Sequence, residues 1–385
     1  MIAAESRNRR RDFPLLSSSN ERPVMSPKKD RKELAKETVS PGQILGHAAK
    51  VLPAVRVDTY NEELRDEEGF VGDRASGRAF RAILDDWRDL VRRQGDDPFG
   101  DTPTERIRKS EMDKMLAGDD PKAAGLVHTV VEEFAGELAR VVRRFLRLKK
   151  WKGAESIVIG GGLSASHIGK LAMGRAGMIL AGDGIDVGLR AVSNHPDEAG
   201  LIGAVQLAPA WVLAGHDAIL AVDIGGTNLR AGVVELNLTK KDSLAKARVW
   251  KLRHWRHADD GPTRDEAVAR LSKMIVELIE RAVAGKMKLA PFLGIACPGL
   301  IDENGAITRG GQNLPGNWEA DDFNLPASLK LPKIGNHEPV IVMHNDAVVQ
   351  GLSEVPFMEG VRHWGVLTIG TGLGNAKFTG HRRES

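Results

Sequence analysis

An α/β architecture is predicted by three observations. From about residue 78 onward, apolar segments with helical spacing alternate with short β-branched runs. Three of those runs end in glycine turns, at Gly160-Gly161-Gly162, Asp223 to Asn228, and Gly370-Thr-Gly-Leu-Gly374. Ligand loops at strand ends are the habit of such folds. No short repeat of fixed period breaks the pattern.

Taken in order, residues 1 to about 40 are rich in Ser, Pro, Arg and Lys without a sustained apolar period, and read as a flexible tail. From Arg78, a stripe of Phe80, Ile83, Leu84, Trp87, Leu90 and Val91 predicts a helix. Asp119 and Asp120 before Pro121 give a start signal for a second, running to about Lys150 with Val127, Val130, Phe134, Leu138, Val141, Phe145 and Leu148 on one face. The cations of its ARVVRRFLRLKK end fall between the apolar positions, so they form a solvated face rather than a nucleic-acid patch. SIVIG is a strand followed by a glycine turn and a new helix, and PDEAGLIGAVQLAPAWVL reads as one further helix. AILAVDI and LRAGVVEL are two strands joined by a Gly-Gly hairpin. EAVARLSKMIVELIERAV is a helix; FLGIACPG, PVIVMHND and GVLTI are strands.

The 385 residues, 42% hydrophobic and 28% charged, leave room for two lobes with their own cores. A formal charge of +3 is too slight to imply a nucleic-acid or membrane partner. One cysteine, Cys297, excludes an internal disulfide framework and a multi-cysteine zinc site, and fits a reducing compartment, so a cytoplasmic protein is expected. No secretory leader or membrane span is visible.

The glycine turns carry the chemistry. Glycine lets backbone N–H groups approach phosphate oxygens without an intervening Cβ. Asp223 is placed to hold a hydrated Mg²⁺, and the Thr227 hydroxyl to donate to a phosphate. No P-loop sequence occurs. Gly160 to Ala165 also fits the G-x-G-x-x-A fingerprint of a dinucleotide-binding fold, but that alternative leaves Asp223 to Asn228 and Gly370 to Gly374 unexplained. Asp346, at the end of the strand VIV-Met-His-Asn, is placed to take a proton from an attacking hydroxyl; alternatively Asn345 or Asp346 simply caps a helix. The polar loop Gly310 to Trp318 offers amide and indole groups to a sugar.

Together these segments resemble the ROK family of repressors and sugar kinases, in the actin and hexokinase superfamily. DIGGTNLRAGVV is similar to its first phosphate hairpin, NLPGNW to its sugar loop, HNDAVVQGLSE to its catalytic-aspartate helix and GTGLG to its second phosphate turn. Residues 217 to 379 thus follow the family's first half. The second half lies upstream: SIVIGGGLS resembles the adenosine-site turn, DEAGLIGAVQLA the usual C-terminal helix and RASGRAF the helix start after the family's zinc segment.

The resemblance implies a two-lobed, ribonuclease H-like ATPase fold in circularly permuted order. Residues 41–195 plus 362–385 would form the large lobe and 196–361 the small lobe. It implies an ATP-dependent sugar kinase acting on a hexose or related sugar, with a homodimer as a conceivable assembly. Asp346 would be the general base and Asp223 the Mg²⁺ ligand through water. Gly225, Gly226, Thr227, Gly370, Thr371 and Gly372 would hold phosphates, Gly161 and Gly162 the adenosine side, and Asn313, Asn345 and Glu354 the sugar. The zinc segment departs from the family: Gly42 to His47 lacks the glutamate of its Glu-Ile-Gly-His stretch, the cysteines are absent, and Gly72 stands where a further glutamate is usual. Zinc is therefore not expected, and the sugar is left open. Val348 replaces a second asparagine. The rival class is a sugar-binding regulator that keeps the fold without the chemistry.

Overall fold

Two five-stranded mixed sheets organise the chain. The computed structural model describes residues 45–67, 69–238 and 244–381, so the expected N-terminal tail lies outside the described residues. The first sheet holds β1 (Val55–Tyr60), β2 (Ser156–Gly160), β3 (Gly188–Ala191), β9 (His363–Ile369) and β10 (Leu373–Gly380). The second holds β4 (Ala218–Ile224), β5 (Leu229–Glu235), β6 (Arg248–Trp255), β7 (Leu289–Cys297) and β8 (Val340–Asn345).

In the second sheet, β4, β5 and β6 form an antiparallel meander, and β7 and β8 add in parallel beside β4, giving the order β6-β5-β4-β7-β8. The first sheet runs β1-β10-β9-β2-β3, with β9, β10 and β1 antiparallel and β2 and β3 parallel to β9. The two arrangements are the same, but the first sheet draws its meander from opposite ends of the described chain. Val366 of β9 sits between Ala376 of β10 and Val158 of β2.

Helices follow their start signals. Helix α1 (Gly77–Gln94) begins at Ser76, whose hydroxyl accepts from the Ala79 N–H at 3.1 Å. Its stripe buries Phe80, Ile83 and Leu84 but leaves Leu90 45% exposed. Arg88 takes a core position instead, held by Asp97, Thr104 and the carbonyls of Gly100 and Thr102. After α2 (Lys109–Leu116), helix α3 (Pro121–Leu146) is capped by Asp120, whose Oδ1 accepts from the Lys122 N–H at 2.9 Å. It stops short of Lys150 because the chain turns at Leu148 to bury Trp151 against Gly365 of β9. Helix α4 (His167–Gly182) links β2 to β3.

The single helix expected over 196–213 is broken. Helix α5 (Pro196–Gly203) passes into a 3₁₀ turn, Ala204–Leu207, and a short helix, Ala210–Leu213, follows Pro209. Pro209 has no N–H to donate and forces Ala208 to an extended conformation, φ −82 and ψ 132. Helix α6 (Arg264–Ala284) starts with a Thr263–Glu266 capping box, and α7 (Asp346–Leu352) leaves β8 directly.

Helices α5 and α7 exchange sheets. α5 follows β3 of the first sheet but packs on β4, β5 and β6, while α7 follows β8 of the second and packs on β9 and β10. They meet each other, and Leu201, Val205, Val349, Leu352 and Phe378 form the core between the sheets. Phe134, Leu138 and Ile157 represent a second core under α3 and α4, and Val222, Leu271 and Ile295 a third under α6. Among the described residues no helix is long and apolar enough to cross a membrane.

Candidate active site

The turn joining β4 to β5 is closed by the Gly225 N–H, which donates to the Asn228 carbonyl at 2.8 Å and leaves Thr227 near its tip. In the turn joining β9 to β10, the Gly370 N–H donates to the Gly372 carbonyl at 2.9 Å, with Thr371 between them. The Thr227 and Thr371 hydroxyl oxygens lie 3.2 Å apart, so the hairpins of the two sheets face each other across a cleft of about 500 Å³. The second turn is fastened from behind. Gly77 N–H donates to the Gly370 carbonyl and Arg78 Nε to the Thr371 carbonyl, both at 2.9 Å. Gly161 brings the third turn to the same place: its φ is +82, and a Cβ there would stand 2.2 Å from the Ile369 carbonyl oxygen. Only glycine satisfies both conditions.

Two of the acidic residues that line this cleft, Asp223 and Asp346, stand at strand ends of the second sheet. Asp223 is paired in register with Arg230 across the hairpin; Arg230 Nη1 donates to Asp223 Oδ2 at 3.2 Å and Nη2 to Asp197 Oδ1 at 2.6 Å. Burial pushes the Asp223 carboxyl above its ordinary range, Arg230 opposes that, and the Asp197 charge adds to it. Asp346 opens α7 with its Oδ1 accepting from the Ala347 N–H at 2.9 Å. Burial, and then the Asp223 charge, push its carboxyl up to about 6, outweighing the hydrogen bonds that favour the anion. It is therefore ionised at neutral pH yet more basic than an ordinary aspartate. Below them, Cys297 at the end of β7 is buried, and burial together with Asp346 and Asp223 holds its thiol protonated.

Most of the residues expected at the site line this one cleft: Asp223, Gly225, Gly226, Thr227, Gly370, Thr371, Gly372, Gly161, Gly162, Asn313 and Asp346. Asn313 lies against the first turn, its Cβ 2.9 Å from where a Cβ on Gly226 would stand. Two expected sugar ligands are elsewhere. Asn345 is buried with both ends of its amide engaged: Oδ1 accepts from the Ala347 and Val348 N–H groups at 3.0 and 3.3 Å, and Nδ2 donates to the Gly299 carbonyl at 2.9 Å. It is the cap of α7, and that cap aims its neighbour Asp346 into the cleft. Glu354 is 0% exposed and accepts from the Ser193 N–H at 2.7 Å, the Ser193 hydroxyl at 2.8 Å and the Arg190 guanidinium. It braces the chain after α7 against the chain after β3. His47 is also turned inward, its Nδ1 accepting from the Met343 N–H at 3.0 Å.

Residues that sequence reasoning missed include Asn61, Lys109, Asp197, Gln312 and Arg230, all on the cleft wall. Arg230 was missed because a two-residue Gly225-Gly226 hairpin would set Asn228 opposite Asp223, whereas the observed four-residue loop, Gly225 to Asn228, sets Arg230 there. Gln312 lies in the polar loop already singled out, beside Asn313, while Asn61, Lys109 and Asp197 arrive from distant segments and had none.

The donor set suits Mg²⁺. Asp223 keeps Oδ1 outside its pairing with Arg230, and Asp346 lies near enough to feel its charge. Mg²⁺ is commonly bound by one or two carboxylates, water and substrate phosphate oxygens. Among the described residues no group of three or more His, Cys, Asp or Glu could hold a metal by itself.

No family model matches the chain. It is 27% identical over 168 residues to a glucokinase of Thermotoga maritima, covering 42% of this chain and 44% of that protein. Among solved structures it is similar to Lmo2764 of Listeria monocytogenes, to which N-acetylmannosamine kinase activity is ascribed, with 25% identity, a TM-score of 0.30, and coverage of 42% of this chain and 47% of that one. An exopolyphosphatase of Cytophaga hutchinsonii follows at 15% identity and TM-score 0.21, with 46% and 52% covered. The chain spans about half the length of each of these proteins.

Proposed function

We propose that this protein is an ATP-dependent sugar kinase with a ROK-like, two-lobed fold. The observation that carries the reading is the 3.2 Å approach of Thr227 to Thr371, which brings two glycine turns and Asp346 to one cleft. Backbone N–H groups of the turns and the two threonine hydroxyls bind phosphate oxygens, and Asn313 and Gln312 offer amides to a sugar. Asp346 takes the proton of the attacking sugar hydroxyl. The hydroxyl oxygen bonds to the γ-phosphorus as the bond from that phosphorus to the bridging oxygen breaks, and ADP leaves. Asp223 would hold Mg²⁺ through water, and the ion would supply neutralisation of the charge that builds on the phosphate oxygens. Arg230 keeps the Asp223 carboxylate oriented while leaving one oxygen available.

The proposal extends to a circular permutation. It is supported by the two sheets, which have the same strand order only when the first is followed from β9 through β10 to β1. The match to the glucokinase supports a sugar as acceptor. The test is ADP release from ATP and Mg²⁺ over a panel of hexoses, hexosamines and polyols. Turnover stimulated by at least one sugar is expected; a protein that binds a sugar yet turns over none would refute the kinase.

A further inference from the structure

We propose that Lys109 is a nucleotide-phosphate ligand, donating its ammonium to the phosphate chain on the adenosine side of the cleft; this rests on the ATP reading above. Its position is built rather than accidental. The loop before it is pinned by Arg88, which donates to the Gly100 and Thr102 carbonyls at 3.1 and 2.7 Å, and by Arg81, which donates to the Thr104 carbonyl at 2.6 Å. The helix it opens, α2, is clamped to α4: the Asp113 carboxylate accepts from the His167 and Ile168 N–H groups at 3.1 and 2.9 Å. Because α4 is the helix that leaves the Gly160–Gly162 turn, this clamp fixes Lys109 relative to that turn. Its Nζ lies 2.8 Å from the point where a Cβ on Gly162 would stand.

Three cations line the cleft, and two of them hold protein partners. Arg230 serves Asp223 and Asp197, and Arg78 holds the Thr371 carbonyl through Nε. Lys109 is half-buried and makes no side-chain hydrogen bond or ion pair among the described residues. Burial, and then Arg81, hold its ammonium below the ordinary lysine pKa, with Asp197 opposing from a distance beyond an ion pair. A desolvated, unpaired ammonium is unfavourable until an anion meets it. The groups around it are a turn rich in backbone N–H donors and the hairpin that carries Thr371, so a phosphate oxygen meets the chemistry of all three.

Isothermal titration of ADP and of adenosine into the wild-type protein, Lys109→Gln and Lys109→Arg tests this. Lys109→Gln should weaken ADP by about 10- to 100-fold, the range of a charge-assisted hydrogen bond, and leave adenosine within about twofold. Lys109→Arg should recover most of the loss. In turnover, the KM for ATP should rise while the KM for sugar holds. Equal ADP affinity in Lys109→Gln and wild type would overturn the assignment while leaving the kinase standing. Parallel losses for ADP and adenosine would also overturn it, by making Lys109 a structural residue. A wild-type protein that binds neither ADP nor ATP would overturn both.

Discussion

Asp346→Asn should disable the enzyme and stabilise the protein. The Asp346 carboxyl is raised from 3.8 to about 6 in the fold, equivalent to about 3 kcal/mol of unfavourable burial and repulsion from Asp223 when ionised. A folded pKa above the unfolded one means that the penalty is fully present above about pH 6. It shrinks as pH falls through 6 and is gone below about 4, where both states are protonated. Asparagine removes the charge, can still accept from the Ala347 N–H, and leaves the cap intact because Asn345 provides it. Urea unfolding at several pH values should therefore show the variant more stable at pH 8, by up to about 3 kcal/mol, with the advantage vanishing near pH 4. Its kcat should fall by at least about 100-fold, the loss of a general base. A variant with wild-type stability at pH 8 and near-normal turnover would refute both the charged burial and the catalytic role.

For the wild-type protein, kcat/KM should decline below about pH 6 with unit slope as Asp346 protonates, and a profile flat down to pH 5 would count against it. His344 contributes in the opposite sense: burial holds its imidazole down at about 4, so the fold loses stability as pH falls from 6.5 toward 4, by roughly 3 kcal/mol. His344→Gln should remove that part of the slope in the same urea series. Gly200→Ala would place a methyl carbon 2.8 Å from Asp223 Cγ and displace the carboxylate, lowering turnover about tenfold or more for a loss of about 1–3 kcal/mol in stability; unchanged kcat would be the contrary result. Glu354→Ala strands the partly exposed Arg190 and should lower the thermal midpoint, costing about 3 kcal/mol, with the sugar KM unchanged in the folded protein. A raised sugar KM would return Glu354 to the substrate site.

What was legible in the sequence was local. The glycine turns could be read because a strand ending in closely spaced glycines is defined within a few residues, and those turns did converge. Asn345 and Asp346 were harder, since either residue of the pair could be the cap; only the third dimension shows that Asn345 is the cap and that Asp346 lines the cleft. The family resemblance implies a site acid at Glu354, yet its partners Arg190 and Ser193 come from a distant strand end. Lys109 and Arg88 are in the same position, because their environment is made by chain far from them in sequence. Strand β6 hides for a different reason: its sequence RVWKLRHW buries only its last residue fully and shows no clean alternation. The Pro209 break was readable, but the apolar period on both sides of it pointed to one helix.

The assembly of the first sheet sets a schedule for synthesis. The second sheet spans Ala218 to Asn345 without interruption and can close as soon as that stretch has left the ribosome. Ser156, by contrast, has to wait for Trp364, and Val57 for Phe378. Until then β2, in which all five residues are buried in the finished protein, presents an apolar edge with no neighbour on the β9 side. The nascent chain is thus exposed to misassociation at β2 until β9 and β10 have emerged. A chain cut off before His363 and released would hold every strand of its second sheet and an open template in place of its first.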